Sequence, residues 1–405
     1  MIIGNTVIPL HLFDAAVNAI HDARGHLDQR DGTGYGQQES RANASLMSQL
    51  FSYRKRYAIS RKQLCPRNGK TIGVSLASYL VDSLQGRQCK DARDRVFAML
   101  ALAEDKFDIQ PDYTVPLSTL LCGFAKRSLL SGDLAILNGS GLRPNHNSRL
   151  VSFAPSVEDW SGMPIPLDVP RLGFCASPNY PVCVQHTSRG DISIAGVQVD
   201  HVFRVIDIHS LDLHCPQDLS VREELEYQTR KFHSWYMDTE TEHVSHAGSR
   251  PDRASELRDT LPFPRCYATR PSGASTFHRL LDLDQGSSGY ARASWYSSMA
   301  SHKNRVIFDT RAGFLGLGPH WMQPGDCVVI FDGGKTPFIL RKHPGSDDEH
   351  GLMWNLVGQC FLLDWMDGNY FGHTVVDEMP KSETGPEENT GARKKFLVRE
   401  YFVMC

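Results

Sequence analysis

The hydrophobic period of this chain changes near Asp133, and that change constrains its architecture more than any other feature. Before it, apolar residues recur at the spacing of one helix face; after it they come in short runs broken by Gly, Pro and Asn, as strands do. The clearest helical stripe is Val96, Phe97, Leu100 and Ala101. Asp91 is placed to cap it, and Asp94 falls in its first turn, where a carboxylate meets the positive end of the helix dipole. Helical patterns also cover 9–24, 43–58 and 72–86, with a polar exposed loop over 25–42. Thr114 stands where it can cap a further helix whose core face is Leu117, Leu120, Leu121, Phe124 and Ala125.

Beyond Asp133, strand-like runs fall at 134–137, 150–153, 182–186, 192–194 and 197–208, followed by a helical pattern over 219–237 and another near 289–302. Residues 305–365 alternate as an antiparallel sheet does: Val306–Phe308, a Gly-rich turn at 313–318, Cys327–Phe331, a Gly333-Gly334 turn, Phe338–Leu340 and Trp354–Leu363. The expected fold is α+β. It has a mostly helical region 1–132, a mixed α/β region 133–237, an exposed linker 238–260 and a C-terminal β-module with a preceding helix, 261–375. That module is read as a small antiparallel β-barrel or curled sheet. Residues 376–405 read as a polar tail in which 395–403 returns as an edge strand.

Apolar residues make up 41% of the 405, enough for real cores. Forty-three basic against forty-six acidic side chains give a net charge of -3 with no long block of either sign, so no footprint for nucleic acid or an anionic membrane is expected. No apolar run approaches the ~20 residues of a membrane span. The ten cysteines never form Cys-x-x-Cys, and several sit in apolar runs, which points to a reducing, cytoplasmic setting.

Motifs for chemistry fail one by one. Gly69-Lys70-Thr71 and Gly334-Lys335-Thr336 have Leu64 and Val329 where a phosphate loop needs its leading glycine. Gly313-x-x-Gly316-x-Gly318 reads as turn geometry. Ser275 and Ser288 lack the second glycine of a nucleophile elbow. His201, Asp207 and His209 share one strand face by period two, but His201 and His209 stand ~26 Å apart on an extended strand, so only Asp207 and His209 can meet. No metal and no cofactor is expected. The residues to inspect for catalysis are His186, Asp200, His201, Asp207, His209 and Arg341.

Three separated stretches resemble, in order, the recurrent elements of fungal heterokaryon-incompatibility proteins. Asp91 through Ala103, with Ile109-Gln110-Pro111-Asp112-Tyr113-Thr114, is similar to their "RDRVYALLGLA … I.PDY" element, placing Arg93, Asp94, Arg95, Asp112 and Tyr113 in it. Phe153 through Trp160 resembles their "LPSWVPDW" turn, with Ser156 where tryptophan is usual. The stretch from Gly313 to Gly368 resembles their C-terminal module and carries Gly325, Asp326, Pro337, Arg341, Gly358, Asp367 and Gly368. Ala195 through Asp200 looks like their "GV.VD" strand. The resemblance is to the region that follows the family's signature domain, whose Ala-Leu-Ser-Tyr-x-Trp-Gly, Trp-Ile-Asp-Ala-Leu-Cys-Ile-Asn-Gln and Arg-x-Trp-x-x-Gln-Glu segments do not occur in this sequence.

From the residues alone, the motif positions read as structural: Arg93 and Arg95 as bridges to neighbouring carboxylates, Asp112 closing a turn, Tyr113 anchored by its ring and hydroxyl, Arg341 pairing with Asp367. The resemblance implies a truncated or divergent incompatibility-type protein, working through contacts with a protein partner or a missing N-terminal domain in self/non-self recognition or its regulation. The rival expectation is an enzyme or accessory protein of fungal secondary metabolism, with a small-molecule substrate; the sequence leans away from an enzyme.

Overall fold

A computed structural model of the chain describes residues 2–3, 6–7, 75–83, 89–100, 103, 107, 109–142, 150–155, 174–178, 180–188, 190–206, 304–346, 352–363, 365–368, 375–376 and 397–405. The chain divides into two compact units, Met1–Leu120 and Leu121–Cys405. The helices expected at 9–24, 43–58, 219–237 and 289–302, the loop 25–42, the linker 238–260 and nearly all of the polar tail before 396 lie outside the described residues.

In the first unit, β1 (Ile2–Ile3) and β2 (Thr6–Val7) pair antiparallel. Helix α1 (Leu76–Ser83) buries Leu76, Ala77, Tyr79, Leu80 and Val81. Ser75 caps it, its Oγ accepting the Ser78 N–H at 3.1 Å. Helix α2 (Asp94–Phe97) is shorter than its stripe suggests. Past Ala98 the backbone ladder tightens: the Met99 N–H reaches Val96 O and the Leu100 N–H reaches Phe97 O, so tight turns continue where a longer helix is expected. The stripe still faces inward, with Val96, Phe97, Met99, Leu100 and Ala103 all buried.

Helix α3 (Leu117–Leu130) buries Leu121, Phe124, Ala125, Ser128 and Leu129, one face at helical period. Thr114 does not cap it, because both its N–H and its hydroxyl donate to Asp112 Oδ1. Residues 134–137, expected as a strand, wind into a 3-10 helix, Leu134–Gly139. Asp133 redirects them, its Oδ1 accepting the Ala135 N–H at 2.9 Å. Residues 150–153, also expected as a strand, form a turn beside the isolated bridge Ser140–Pro155.

The described strands of the second unit form one ten-stranded sheet. Its strands are β3 (Val184–His186), β4 (Ile192–Ile206), β5 (Arg305–Thr310), β6 (Leu315–Pro319), β7 (Cys327–Phe331), β8 (Phe338–Lys342), β9 (Met353–Gln359), β10 (Phe361–Leu362), β11 (Val375–Val376) and β12 (Leu397–Met404). Five of them close a ring, β4–β7–β8–β9–β12 and back to β4. The fold is therefore α+β with a C-terminal barrel-like sheet. Four seams of the ring are antiparallel; β9 and β12 run parallel, a pairing no hairpin can make.

β4 holds this arrangement together. The two runs expected at 192–194 and 197–208 are a single strand, which pairs with β12 through Ile192–Val197, with β7 through Gly196–His201 and with β5 through Val202–Ile206. Register shifts at Gln198/Asp200 and Val202/Arg204 bend it from the ring into a second layer, β4–β5–β6–β10. Gly196 permits the closest crossing, since a Cβ there would lie 2.6 Å from the Ile330 carbonyl. Inside the ring, Phe331 packs on Phe338 and Phe402, and Phe402 on Trp354, with centroids 5.4, 6.0 and 5.9 Å apart. The other faces of the same strands, Val197, Val199, Val328, Ile330, Ile339 and Val357, form a second core with Val306, Phe308, Phe314, Leu362 and Trp365. Buried on both sides, β5, β6 and β7 are covered along their whole length.

Two expectations about this region need correction. Gly316 and Gly318 are not turn residues; they lie on β6, opposite Phe308 and Val306, and leave room for the Phe308 ring. Residues 395–403 are no edge strand, because β12 lies between β4 and β9. A Cβ on Gly316 would stand 2.5 Å from both the Phe308 ring and the Phe361 carbonyl, whereas one on Gly123 in α3 meets nothing within 4 Å. Gly316→Ala is thus expected to destabilise the second unit by about 1–3 kcal/mol. Gly123→Ala should be neutral or stabilising by up to about 1 kcal/mol, and urea unfolding of the two variants distinguishes them.

Candidate functional site

Three buried aspartates of the sheet are held in arginine–aspartate braces. Asp326, 4% exposed, follows the Gly325 turn, and its carboxylate receives Arg341 Nε and Nη2 from β8 at 2.8 and 2.9 Å. The same carboxylate accepts the Gln323 N–H at 2.8 Å, while Arg341 Nη2 also donates to the Trp321 carbonyl at 3.0 Å. One bidentate pair therefore ties the β6–β7 loop to β8. Asp332, fully buried at the end of β7, receives Arg399 of β12 at 2.5 and 2.6 Å, with the guanidinium 5.4 Å from the centre of the Tyr180 ring. Arg204 joins Asp309 across β4 and β5. Asp200 accepts the Ala312 N–H at 2.6 Å. Arg305, 1% exposed, donates to the Gln359 carbonyl at 3.0 Å, and burial lowers its pKa to about 10. The Gln359 amide continues to Thr336 and Asn138.

A separate knot lies in the first unit. Asp91 holds Arg93 by Nε and Nη2 at 2.9 and 2.7 Å and accepts the Arg93 N–H at 2.9 Å. The guanidinium donates onward to the carbonyls of Tyr113 and Val115. Tyr113 donates its hydroxyl to Asp94 at 2.5 Å, which raises its pKa, and its ring meets Phe97 edge-on at 5.2 Å. The ring is 52% exposed, so Tyr113 is anchored by its edges rather than by burial. The bonds from Arg93 hold the Asp91 carboxyl down at about 2.

Residues 272–375 match the Het-6 beta-barrel domain family. A stretch of 74 residues, 18% of this chain, is 35% identical to heterokaryon incompatibility protein 6, OR allele, of Neurospora crassa. Part of this chain is thus similar to heterokaryon-incompatibility proteins, through the barrel domain. The matched stretch spans 10% of that curated relative's length. No solved structure matches the chain.

Within this Het-6-type barrel, the motif residues Gly325, Asp326 and Arg341 come together, and Arg341 takes Asp326 as its partner instead of the expected Asp367, which is exposed. Pro337 accepts the Cys360 N–H through its carbonyl. Gly358 and Gly368 have positive φ and sit against Pro319 and Pro178, where a side chain would collide. Arg95 is half-buried on α2. The residues inspected for catalysis do not converge. His186 is exposed on β3; Asp200 and His201 are neighbours on β4, so they face opposite sides, His201 lying 3.5 Å from Gln198. Trp160, Asp207 and His209 lie outside the described residues. Among the described residues no group of three His, Cys, Asp or Glu is arranged to hold a metal ion. Burial pushes the Cys327 thiol up to about 12 and raises that of Cys360, so neither is a thiolate at neutral pH.

Sequence reasoning missed the Asp332–Arg399 and Arg204–Asp309 braces. Their partners are 67 and 105 residues apart, and the one available signal was an arginine within a strand-like run. Two outcomes follow from this geometry. Asp326→Ala should cost about 2–3 kcal/mol in denaturant unfolding, and less on an Arg341→Met background, where no partly buried cation is stranded. The Asp91 carboxyl should titrate near 2 by NMR and return toward its ordinary 3.8 in Arg93→Gln. Because its folded pKa is depressed, its contribution is complete above about 3.8 and is lost as pH falls through 2.

Proposed function

We propose that this chain acts in fungal self/non-self recognition, or in the regulation of that response, through contacts with another protein or domain. The observation that carries this reading is the Het-6 beta-barrel domain match, laid over a sheet whose polar side chains brace the fold. The related Neurospora protein is named as an allele of an incompatibility protein, and differences between alleles are what a recognition system compares. The barrel supplies a rigid frame on which surface positions vary without disturbing the core. The secondary-metabolism reading needs an apolar pocket with convergent polar groups, and of its candidates Arg341 is occupied with Asp326 and Asp200 with the Ala312 N–H.

The test is genetic. Fungal strains that differ at this locus are paired, and the survival of fused cells is scored against pairs that share it. Survival is expected to fall, or to recover, when the locus is exchanged. Fused-cell survival that is identical in every pairing, together with a changed metabolite profile on deletion, would sink the recognition reading in favour of the enzyme.

A further inference from the structure

We propose that Ser346 is a phosphorylation site, presented on the turn after β8 to a serine kinase that reads the acidic residues following its acceptor. This goes beyond the recognition reading and stands whether or not the barrel serves incompatibility.

The chain's charge pattern selects the kind of kinase. Ser346 is followed by Asp347, Asp348 and Glu349, and no other serine or threonine of the chain is followed by three consecutive acidic residues. Kinases discriminate among hydroxyls largely by charge: carboxylates at fixed offsets from the acceptor pair with cations lining one kind of cleft and are repelled by an acidic cleft. Three carboxylates directly after the hydroxyl suit the cationic cleft. A kinase that needs arginine two or three positions before the acceptor finds Pro344 and His343 there instead.

The fold supplies access. Ser346 closes a turn in which Pro344 is followed by Gly345 at a φ of 85°, the order a type II turn requires, and its N–H donates to the His343 carbonyl at 3.1 Å. Lys342, His343, Pro344 and Gly345 are exposed, and Ser346 is half-buried. The Ser346 hydroxyl donates to the same carbonyl at 2.8 Å, in a contact open to solvent. Handing that oxygen to a kinase therefore breaks one local hydrogen bond and moves no core side chain. Ser128, Ser140, Ser152, Ser177 and Ser193, by contrast, are buried and out of reach of any kinase while the chain is folded.

In the reaction the Ser346 oxygen attacks the γ-phosphorus of ATP. The bond from that phosphorus to the β–γ bridging oxygen breaks, ADP leaves, and the hydroxyl proton passes to a carboxylate of the kinase. The product carries about -1.5 to -2 charge at neutral pH, next in sequence to three carboxylates. It has also lost the proton that bonded the His343 carbonyl, so one modification both loosens the turn and makes it strongly anionic.

The test incubates the full-length chain with ATP and casein kinase II, an acidophilic serine kinase, and maps the product by fragmentation mass spectrometry. Phosphate is expected at Ser346 of the native chain and absent from that position in Ser346→Ala. A triple variant, Asp347→Asn with Asp348→Asn and Glu349→Gln, keeps the acceptor and should react about tenfold more slowly or worse. Wild-type urea midpoints for both variants separate lost recognition from lost folding. Chain isolated from growing fungal cells should carry phosphate at Ser346. Uptake at Ser346 only after urea unfolding would overturn the proposal, because the turn would then not present the hydroxyl. A triple variant that reacts at the wild-type rate would overturn it too, as would chain from growing cells with Ser346 wholly unmodified.

Discussion

Closing a five-stranded ring removes all its edges, and because five is odd one of its seams must be parallel. Here β7, β8 and β9 follow one another as antiparallel neighbours, and the ring still lacks the two strands that flank them. β4 comes from far upstream and β12 from far downstream, and they meet over six register pairs. Everything else accommodates that seam. β4 bends twice to serve the ring and the second layer, and Gly196 lets it cross β7 closely enough to do so. The parallel β9–β12 seam follows from the same geometry, because β12 must run antiparallel to β4.

The braces explain why charged residues are tolerated in a sheet this deeply covered. The buried carboxylates of Asp309, Asp326 and Asp332 each meet a guanidinium in bidentate or near-bidentate contact, and each pair joins elements that apolar packing alone would leave free to slide. Arg341 fixes a loop to a strand, Arg399 fixes the closing strand to the end of β7, and Arg204 fixes the layer that β4 enters second. Such pairs add little net stability over apolar substitutes, but they are intolerant of a wrong register. A shift of β12 by one residue would carry Arg399 to the opposite face and leave Asp332 alone.

What was legible in the sequence is what depends on local pattern. The strands over 305–365 and the inward stripe at Val96, Phe97 and Leu100 follow from period, and the sequence resemblance pointed to the same family as the barrel match. Errors fall where one side chain or a distant segment decides. Asp133 turns an apolar run into a 3-10 helix by taking one N–H, and Gly316 reads as a turn until the Phe308 ring that occupies its space is known. Arg341 has carboxylates at 326 and 367 within plausible reach, and only the register of β7 against β8 selects Asp326. The role of β12 was beyond reach, because a terminal apolar strand carries no mark that tells an edge from the middle of a ring.

The limits of the family match therefore do not coincide with the limits of the folded unit. Residues 272–375 contain β5 through β10, three of the five ring strands among them, but neither β4 nor β12. Taken alone, that segment would present β7 without β4 on one side and β9 without β12 on the other, with Asp332 buried and its guanidinium absent. Two open edges and one uncompensated buried carboxylate describe a surface that must be covered. The physical module accordingly extends from β4 to β12. In this chain the closing strands lie outside the matched stretch, upstream as the long β4 with Gly196 at its fifth residue and downstream as the shorter β12 with Arg399 ahead of Phe402.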